Sequence, residues 1–305
     1  MLKSKLQRPG MELVFIFIEK DEARYENLKR KVAELQLPSN FKIDIEWDTF
    51  EHAFDSVLKE IEEQSARLAP SFVFIDPFGP TGFPMPLIGR LAQQRRSEVL
   101  ITFNYQALNE WFLQVTSKHK YLGALYGSDI WRQALDILNS REKEYFLRQA
   151  YHNALEGLGR KVRPFRMVNR HHQTQYYLFF TTSHWLGMLA MKQAMWSAAP
   201  KGDFEYSDLT SPQQPLLFEE FYHEEYSREL ADQLYEAHRG ETIPKQIILE
   251  QDVAWHPTCI RRQLTRALGI LEYESVPPRI IKVELPNRKR KGKTHPDDCT
   301  LTFTP

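Results

Sequence analysis

Ser71-Phe72-Val73-Phe74-Ile75-Asp76-Pro77-Phe78-Gly79-Pro80 decides the fold. Apolar β-branched and aromatic residues run from 72 to 75 and stop at Asp-Pro-Phe-Gly, the pattern of a buried strand ended by a turn. Strands of this kind flanked by helical patterns belong to parallel sheets covered on both faces. Such sheets take ligands beyond the carboxyl ends of their strands. Asp76, Pro77, Phe78 and Gly79 therefore stand at a binding edge, although the same four residues also make an ordinary strand-end turn.

Outward from this run the same alternation repeats. Residues 12–18 are a second apolar run, ending at Glu19-Lys20-Asp21. Tyr25, Leu28, Val32 and Leu35 follow at helical spacing. Residues 41–47 alternate apolar with charged side chains and end at Asp48-Thr49-Phe50, and a helix then runs through Leu58 and Ile61. After the central run come a helix over 85–92, a strand over 98–103 ending at Asn104, and a helix over 107–113. Four strand–helix alternations predict a doubly wound α/β sheet. Glu19, Asp48, Asp76 and Asn104 each follow a strand. Singly, each suits a helix cap or turn. As a row they line the edge where an acidic group commonly accepts ribose hydroxyls.

Residues 121–158 read as largely helical, with Tyr126, Trp131, Tyr145, Phe146 and Tyr151 expected to pack inside. Residues 163–168 and 176–182 read as strands of an antiparallel hairpin around a polar connector. The connector's His171-His172 pair has metal-binding side chains, but neighbours in a hairpin loop diverge, which favours a solvated loop. Residues 184–197 form an apolar helix with Met188, Met191 and Met195 as core filler. Residues 199–215, rich in Pro, Gly, Ser, Asp and Gln, read as the linker.

Beyond the linker the pattern changes. An amphipathic helix over 220–238 precedes a short helix opened by Ile243-Pro244 and running through Leu249. A Trp255-His256-Pro257 turn with Thr258 as candidate cap leads to a helix over 259–271, and strands at 280–285 and 300–303 flank a loop. That order is the order of a winged helix. Its third helix carries Arg261, Arg262 and Arg266. Its loop carries Arg288, Lys289, Arg290, Lys291 and Lys293. These cations suit phosphate contact with salt-dependent affinity, or a solvated loop.

Composition bounds the rest. The 305 residues are 42% hydrophobic and 26% charged with zero formal net charge. That suits a globular protein in one large domain or two, in which nucleic-acid binding must come from local basic patches. Two cysteines, Cys259 and Cys299, suggest reduced thiols in the cytoplasm rather than a disulfide scaffold or metal site. No apolar run approaches the ~20 residues of a membrane span, and no signal-peptide pattern opens the chain.

Several stretches carry a resemblance. Phe15-Ile16-Phe17-Ile18-Glu19-Lys20-Asp21, Phe74-Ile75-Asp76-Pro77-Phe78-Gly79, Glu98-Val99-Leu100-Ile101-Thr102-Phe103-Asn104, residues 255–271 and residues 300–303 together resemble the three-Cys-motif partner (TcmP) family of bacterial proteins. The resemblance implies a class I methyltransferase-like (Rossmann-like) α/β domain over 1–199 with a terminal antiparallel hairpin, a linker over 200–219, and a winged-helix domain over 220–305. It also implies a partner with a three-cysteine motif similar to radical-SAM proteins. The Asp-Pro-Phe-Gly edge is similar to the Asp-Pro-Pro-Tyr/Phe motif of amino-methyltransferases and to the Asp-Pro-Phe-Gly of tRNA guanine-N2 methyltransferases. In that likeness Asp76 and the Pro77 carbonyl accept hydrogen bonds from an exocyclic amine, and Phe78 stacks on an extruded base. Glu19 then holds the ribose of S-adenosylmethionine and Asp48 its adenine amine. In the family a first strand and Gly-rich loop precede the stretch matching residues 12–21. Here eleven residues precede it, with Gly10 their one glycine. The expectation is a domain truncated at its start, or one that has lost cofactor binding. Two functions follow: an S-adenosylmethionine-dependent N-methyltransferase-like protein associated with DNA or RNA, or a non-catalytic nucleic-acid- or protein-binding partner of the three-cysteine protein.

Overall fold

The computed structural model describes residues 10–64, 66, 68–77, 79–94, 96–199, 204–207 and 219–305. Strand and helix alternate as the apolar periodicities require: β1 (Leu13–Glu19), α1 (Glu22–Ala33), β2 (Phe41–Trp47), α2 (Phe50–Glu63), β3 (Ser71–Ile75), α3 (Met85–Gln93) and β4 (Ser97–Phe103). A helical region follows. It comprises α4 (Tyr105–Ala107), a π-turn (Leu108–Phe112), a 3-10 turn (Thr116–Lys118), α5 (His119–Tyr126), a second 3-10 turn (Ile130–Leu135) and α6 (Ser140–Glu156). The hairpin β5 (Lys161–Val168) and β6 (Thr174–Thr182) leads into α7 (Trp185–Ala198). Asp21, Asn104, Asn139 and His184 start helices by accepting first-turn amides, which satisfies donors that have no partner within the helix.

The chain is mixed α/β, but the single doubly wound sheet expected from the alternation is two sheets. β1 and β2 pair in parallel, Leu13 with Phe41 through Glu19 with Trp47. The second sheet has the order β3-β4-β6-β5-β7, where β7 is Glu205–Ser207. In it β3–β4 and β5–β7 are parallel, and β6 lies antiparallel between β4 and β5. Among the described residues β1 and β3 each pair on one side only. The expectation of a buried central run fails for the same reason. β3 is an edge strand, and Phe72 and Phe74 are each 54% exposed. These two rings share the face of Leu100, which packs with α7, but that cover does not reach β3. β1 is apolar on both faces, yet Val14, Phe15, Ile16 and Phe17 are all exposed.

The five-stranded sheet is covered on both faces. Val99, Ile101, Phe103 and Phe179 face Leu58, Ile88, Leu91, Leu147 and Tyr151 from α2, α3 and α6. Phe165 and Phe180 face Met188 and Met195 of α7. Adjacent Phe179 and Phe180 thus enter opposite layers, as the two-residue period of a strand demands. Phe103 stacks on Tyr151 at 4.7 Å, and Tyr151 meets Phe179 edge-on at 5.1 Å. Each such buried ring contributes roughly 1.5–3 kcal/mol. Of the aromatics expected inside, Tyr126, Trp131 and Tyr151 are buried and Phe146 packs against the core, whereas Tyr145 is exposed. The stretch read as a linker contains β7; residues 200–203 and 208–218 lie outside the described residues.

The last segment is α8 (Glu219–His238), β8 (Thr242–Pro244), α9 (Lys245–Ile248) with a π-turn (Leu249–Val253), α10 (Arg261–Gly269) with a π-turn (Ile270–Glu274), β9 (Ile280–Glu284) and β10 (Thr300–Phe303). Its antiparallel sheet has the order β8-β10-β9. Thr258 does not cap the third helix. That helix starts at Arg261, and the Gln263 side chain accepts the Ile260 amide at 3.1 Å. The amides of Thr258 and Cys259 instead donate to Nδ1 of His256, at 3.2 and 3.1 Å. Burial, Lys192 and Arg163 hold His256 down to about 4, so the ring is neutral and able to accept.

Candidate functional site

Asp76 is exposed at the end of β3, and Pro77 is half-buried. The Gly79 amide donates to the Pro77 carbonyl at 2.9 Å, closing a tight turn. Gly79 sits at φ +115°, where a side chain is strained, and a Cβ there would lie 3.5 Å from the Phe112 ring. The turn therefore rests on the π-turn Leu108–Phe112. Phe78 lies outside the described residues. On the next strand Asn104 is engaged as the cap of α4, its Oδ1 accepting the Ala107 amide at 2.9 Å.

Glu19 and Asp48 end neighbouring strands, and the Asp48 amide donates to the Glu19 carbonyl at 3.2 Å. Both carboxylates serve their own turns. Glu19 accepts the Asp21 amide at 2.8 Å. Asp48 accepts the Thr49 amide at 2.7 Å and pairs with His52 Nδ1 at 2.5 Å. The His52 hydrogen bond holds the Asp48 carboxyl below its ordinary value. So the structure brings Glu19 to Asp48 on one sheet and Asp76 to Asn104 on the other. The strands that would join the two pairs into one row, β1 and β3, are not paired.

A cavity of about 580 Å³ opens between α6, the middle of β5 and β6 and the start of β7, lined by Arg141, Glu144, Arg148, Arg166, Tyr177 and Glu205 among others. Its polar centre is closed on itself. Glu144 accepts hydroxyls from Thr174 and Tyr177, both at 2.5 Å. Arg166 donates to Thr174 at 2.7 Å and to Glu205 at 2.7 Å. Burial and then Glu144 push the Tyr177 phenol up, so it remains a donor. Glu144 also helps raise Tyr105, to about 12, after burial. Sequence reasoning missed this network because its members come from α6, β5, β6 and β7, with no shared local pattern.

The cations of the last segment are placed as follows. Arg261 pairs with Asp297 at 2.7 Å, and Arg262 with Glu220 at 2.6 Å. Arg266 grips Glu224 at 2.7 and 2.9 Å, and also Glu274. Arg288 meets Asp298 at 2.6 and 2.8 Å, and Arg290 meets Glu272 at 2.5 and 2.7 Å. The hydrogen bonds to Glu274 and Glu224 push Arg266 up, so its charge is fixed. Lys293 lies over the Tyr273 ring at 4.5 Å. Lys289, Lys291 and Lys293 are the members of the predicted set without an ion pair among the described residues. From residue 219 onward, fifteen carboxylates face thirteen Lys and Arg, so this segment has no cationic excess.

Cys259 and Cys299 are free and buried, and burial pushes the Cys259 thiol up to about 11. Among the described residues, no group of three or more His, Cys, Asp or Glu could hold a metal ion, and no helix is long and apolar enough to cross a membrane. Compared with known proteins, the chain matches no family model and no curated protein.

Proposed function

We propose that this chain is a non-catalytic, nucleic-acid-binding subunit of the TcmP type, built on a methyltransferase-like α/β core followed by a winged-helix module. The observation that carries the reading is the division of the acceptor row. A cofactor crevice of this class forms where adjacent strands diverge at a switch point. Here β1 and β3 are not paired with each other, and Glu19 and Asp48 are spent on their own turns. The strand order β8-β10-β9, with β8 between α8 and α9 and the β9–β10 hairpin after α10, supports the winged-helix assignment. The exposed apolar edges of β1 and β3 suit contact with a protein such as the three-cysteine partner. Calorimetric titration with S-adenosylmethionine tests the reading. The expected result is no saturable heat, and stoichiometric binding overturns it.

Methyl transfer to a nucleic-acid amine is the second reading. It is favoured by the exposed position of Asp76 next to Pro77, in a turn whose Gly79 faces the Phe112 ring. The Pro77 carbonyl accepts one amide already and keeps a second lone pair for a substrate amine. On this reading Asp76→Ala abolishes transfer and leaves S-adenosylmethionine binding intact. Undiminished transfer removes Asp76 from the chemistry.

A further inference from the structure

We infer that Trp111 and Tyr121, with Lys118 and Lys120, form a platform for single-stranded nucleic acid beside the Gly79 turn. The inference deepens the nucleic-acid reading above and rests on it. Trp111 lies in the π-turn after α4 and is 61% exposed, and Tyr121 is also exposed. π-turns of this kind recur at functional positions. The Lys118 ammonium stands 5.6 Å from the Trp111 ring centre and 5.0 Å from that of Phe112. The Lys120 ammonium stands 5.0 Å from the Tyr121 ring centre. Phe112 meets Tyr121 edge-on at 6.1 Å, and its ring faces Gly79. Three rings and two cations thus form one continuous surface reaching the strand end that carries Asp76.

Charge decides the occupant. The arginines of α10 and of the β9–β10 loop are matched by carboxylates. Lys118 and Lys120 have no carboxylate partner among the described residues. The nearby Glu110 is held by Gln106 at 3.1 Å. A surface of exposed rings with unmatched lysines fits a ligand that alternates flat rings with anions. A single strand of nucleic acid has that chemistry, with bases to stack and phosphates to pair. A duplex hides its base faces and does not.

The test is fluorescence anisotropy with a labelled twelve-residue oligothymidylate, its abasic counterpart and a duplex. Trp111→Ala is expected to weaken oligothymidylate binding about tenfold, with Trp111→Phe restoring most of it. The abasic strand is expected to bind wild type and Trp111→Ala equally. Lys118→Gln with Lys120→Gln is expected to flatten the salt slope by about 1.4, the value for two phosphates on a single strand. If wild type binds the strand and Trp111→Ala and Tyr121→Ala bind it as well, the platform is refuted while the nucleic-acid reading stands. If wild type binds no nucleic acid, both fall. If a Glu–Tyr copolymer binds instead and Trp111→Ala abolishes that, the occupant is an acidic protein and the inference is wrong.

Discussion

Lys192→Met tests what joins α7 to the last segment. Lys192 is fully buried, and its ammonium donates to the carbonyls of Val253 at 2.8 Å, His256 at 2.6 Å and Ala254 at 3.4 Å. Arg163 of β5 adds bonds to the carbonyls of Pro257 and His256 at 2.9 and 3.0 Å. Two basic side chains from the sheet domain therefore donate to the carbonyl end of the π-turn Leu249–Val253, where peptide dipoles concentrate negative charge. Methionine keeps the buried stem but removes the donor. Burial, and then Arg163, push Lys192 from 10.5 down to about 7. Between those values the unfolded chain holds a proton that the folded chain does not, so stability must rise with pH across that window. The ceiling of this rise is about 5 kcal/mol, and the carbonyls, which favour the ammonium, reduce it. At alkaline pH the variant should be less stable than wild type by about 1–3 kcal/mol, the loss of buried hydrogen bonds. Below pH 7 that deficit should shrink or reverse, because the wild type then buries a charge. Urea unfolding of both proteins from pH 6 to 10 measures the difference. A difference that is flat with pH, or that favours wild type more in acid, refutes the argument.

Two further outcomes follow from named partners. Arg290→Gln removes the bidentate partner of Glu272 in a half-buried cluster and leaves it His295, and should cost about 2–4 kcal/mol, whereas changing Lys289, Lys291 and Lys293 to Gln should shift stability by less than about 0.5 kcal/mol; equal thermal midpoints for the two variants would contradict this. Glu144→Gln should cost about 1–3 kcal/mol through its Tyr177 and Thr174 partners and should lower the Tyr177 titration midpoint in ultraviolet difference spectra. A midpoint unchanged from wild type would mean that burial alone sets it.

Elements bounded by their own punctuation could be read from sequence. The strands at 280 and 300 and the hairpin around residue 170 stand nearly where alternation places them. What local pattern could not supply was neighbours. The run 12–18 has the composition of a strand flanked on both sides and covered on both faces, but composition is silent on whether the flanking strand is there. β7 was hidden because three residues of edge strand carry no period of their own within a Pro- and Gly-rich stretch. The arginines of α10 looked free because helical spacing reports contacts three and four residues away. The partners of Arg266 lie 42 and 8 residues away in sequence. Trp111 was read as part of a regular helix over 107–113. The π-turn inserts an extra residue, so helical periodicity does not describe where that side chain goes.

Pairing also decides which end of the molecule can gain by binding. For phosphate to use Arg266 it must displace Glu224 and Glu274, exchanging charge-assisted hydrogen bonds of roughly 1.5–3 kcal/mol each for others of the same kind. Little net affinity results, and few counterions are released, since the carboxylates already neutralise the cation. Lys118 and Lys120 have no such exchange to make, and Trp111 leaves ring surface that water covers poorly. The apolar edges at Phe15, Phe17, Phe72 and Phe74 likewise gain by being covered. The last segment has its core closed and the arginines of α10 and of the β9–β10 loop matched, which leaves Lys289, Lys291 and Lys293 as its cations of that set without an ion pair among the described residues. The unsatisfied surface lies on the α/β domain, around the strand ends from which the fold was first read, and binding has the most to gain there.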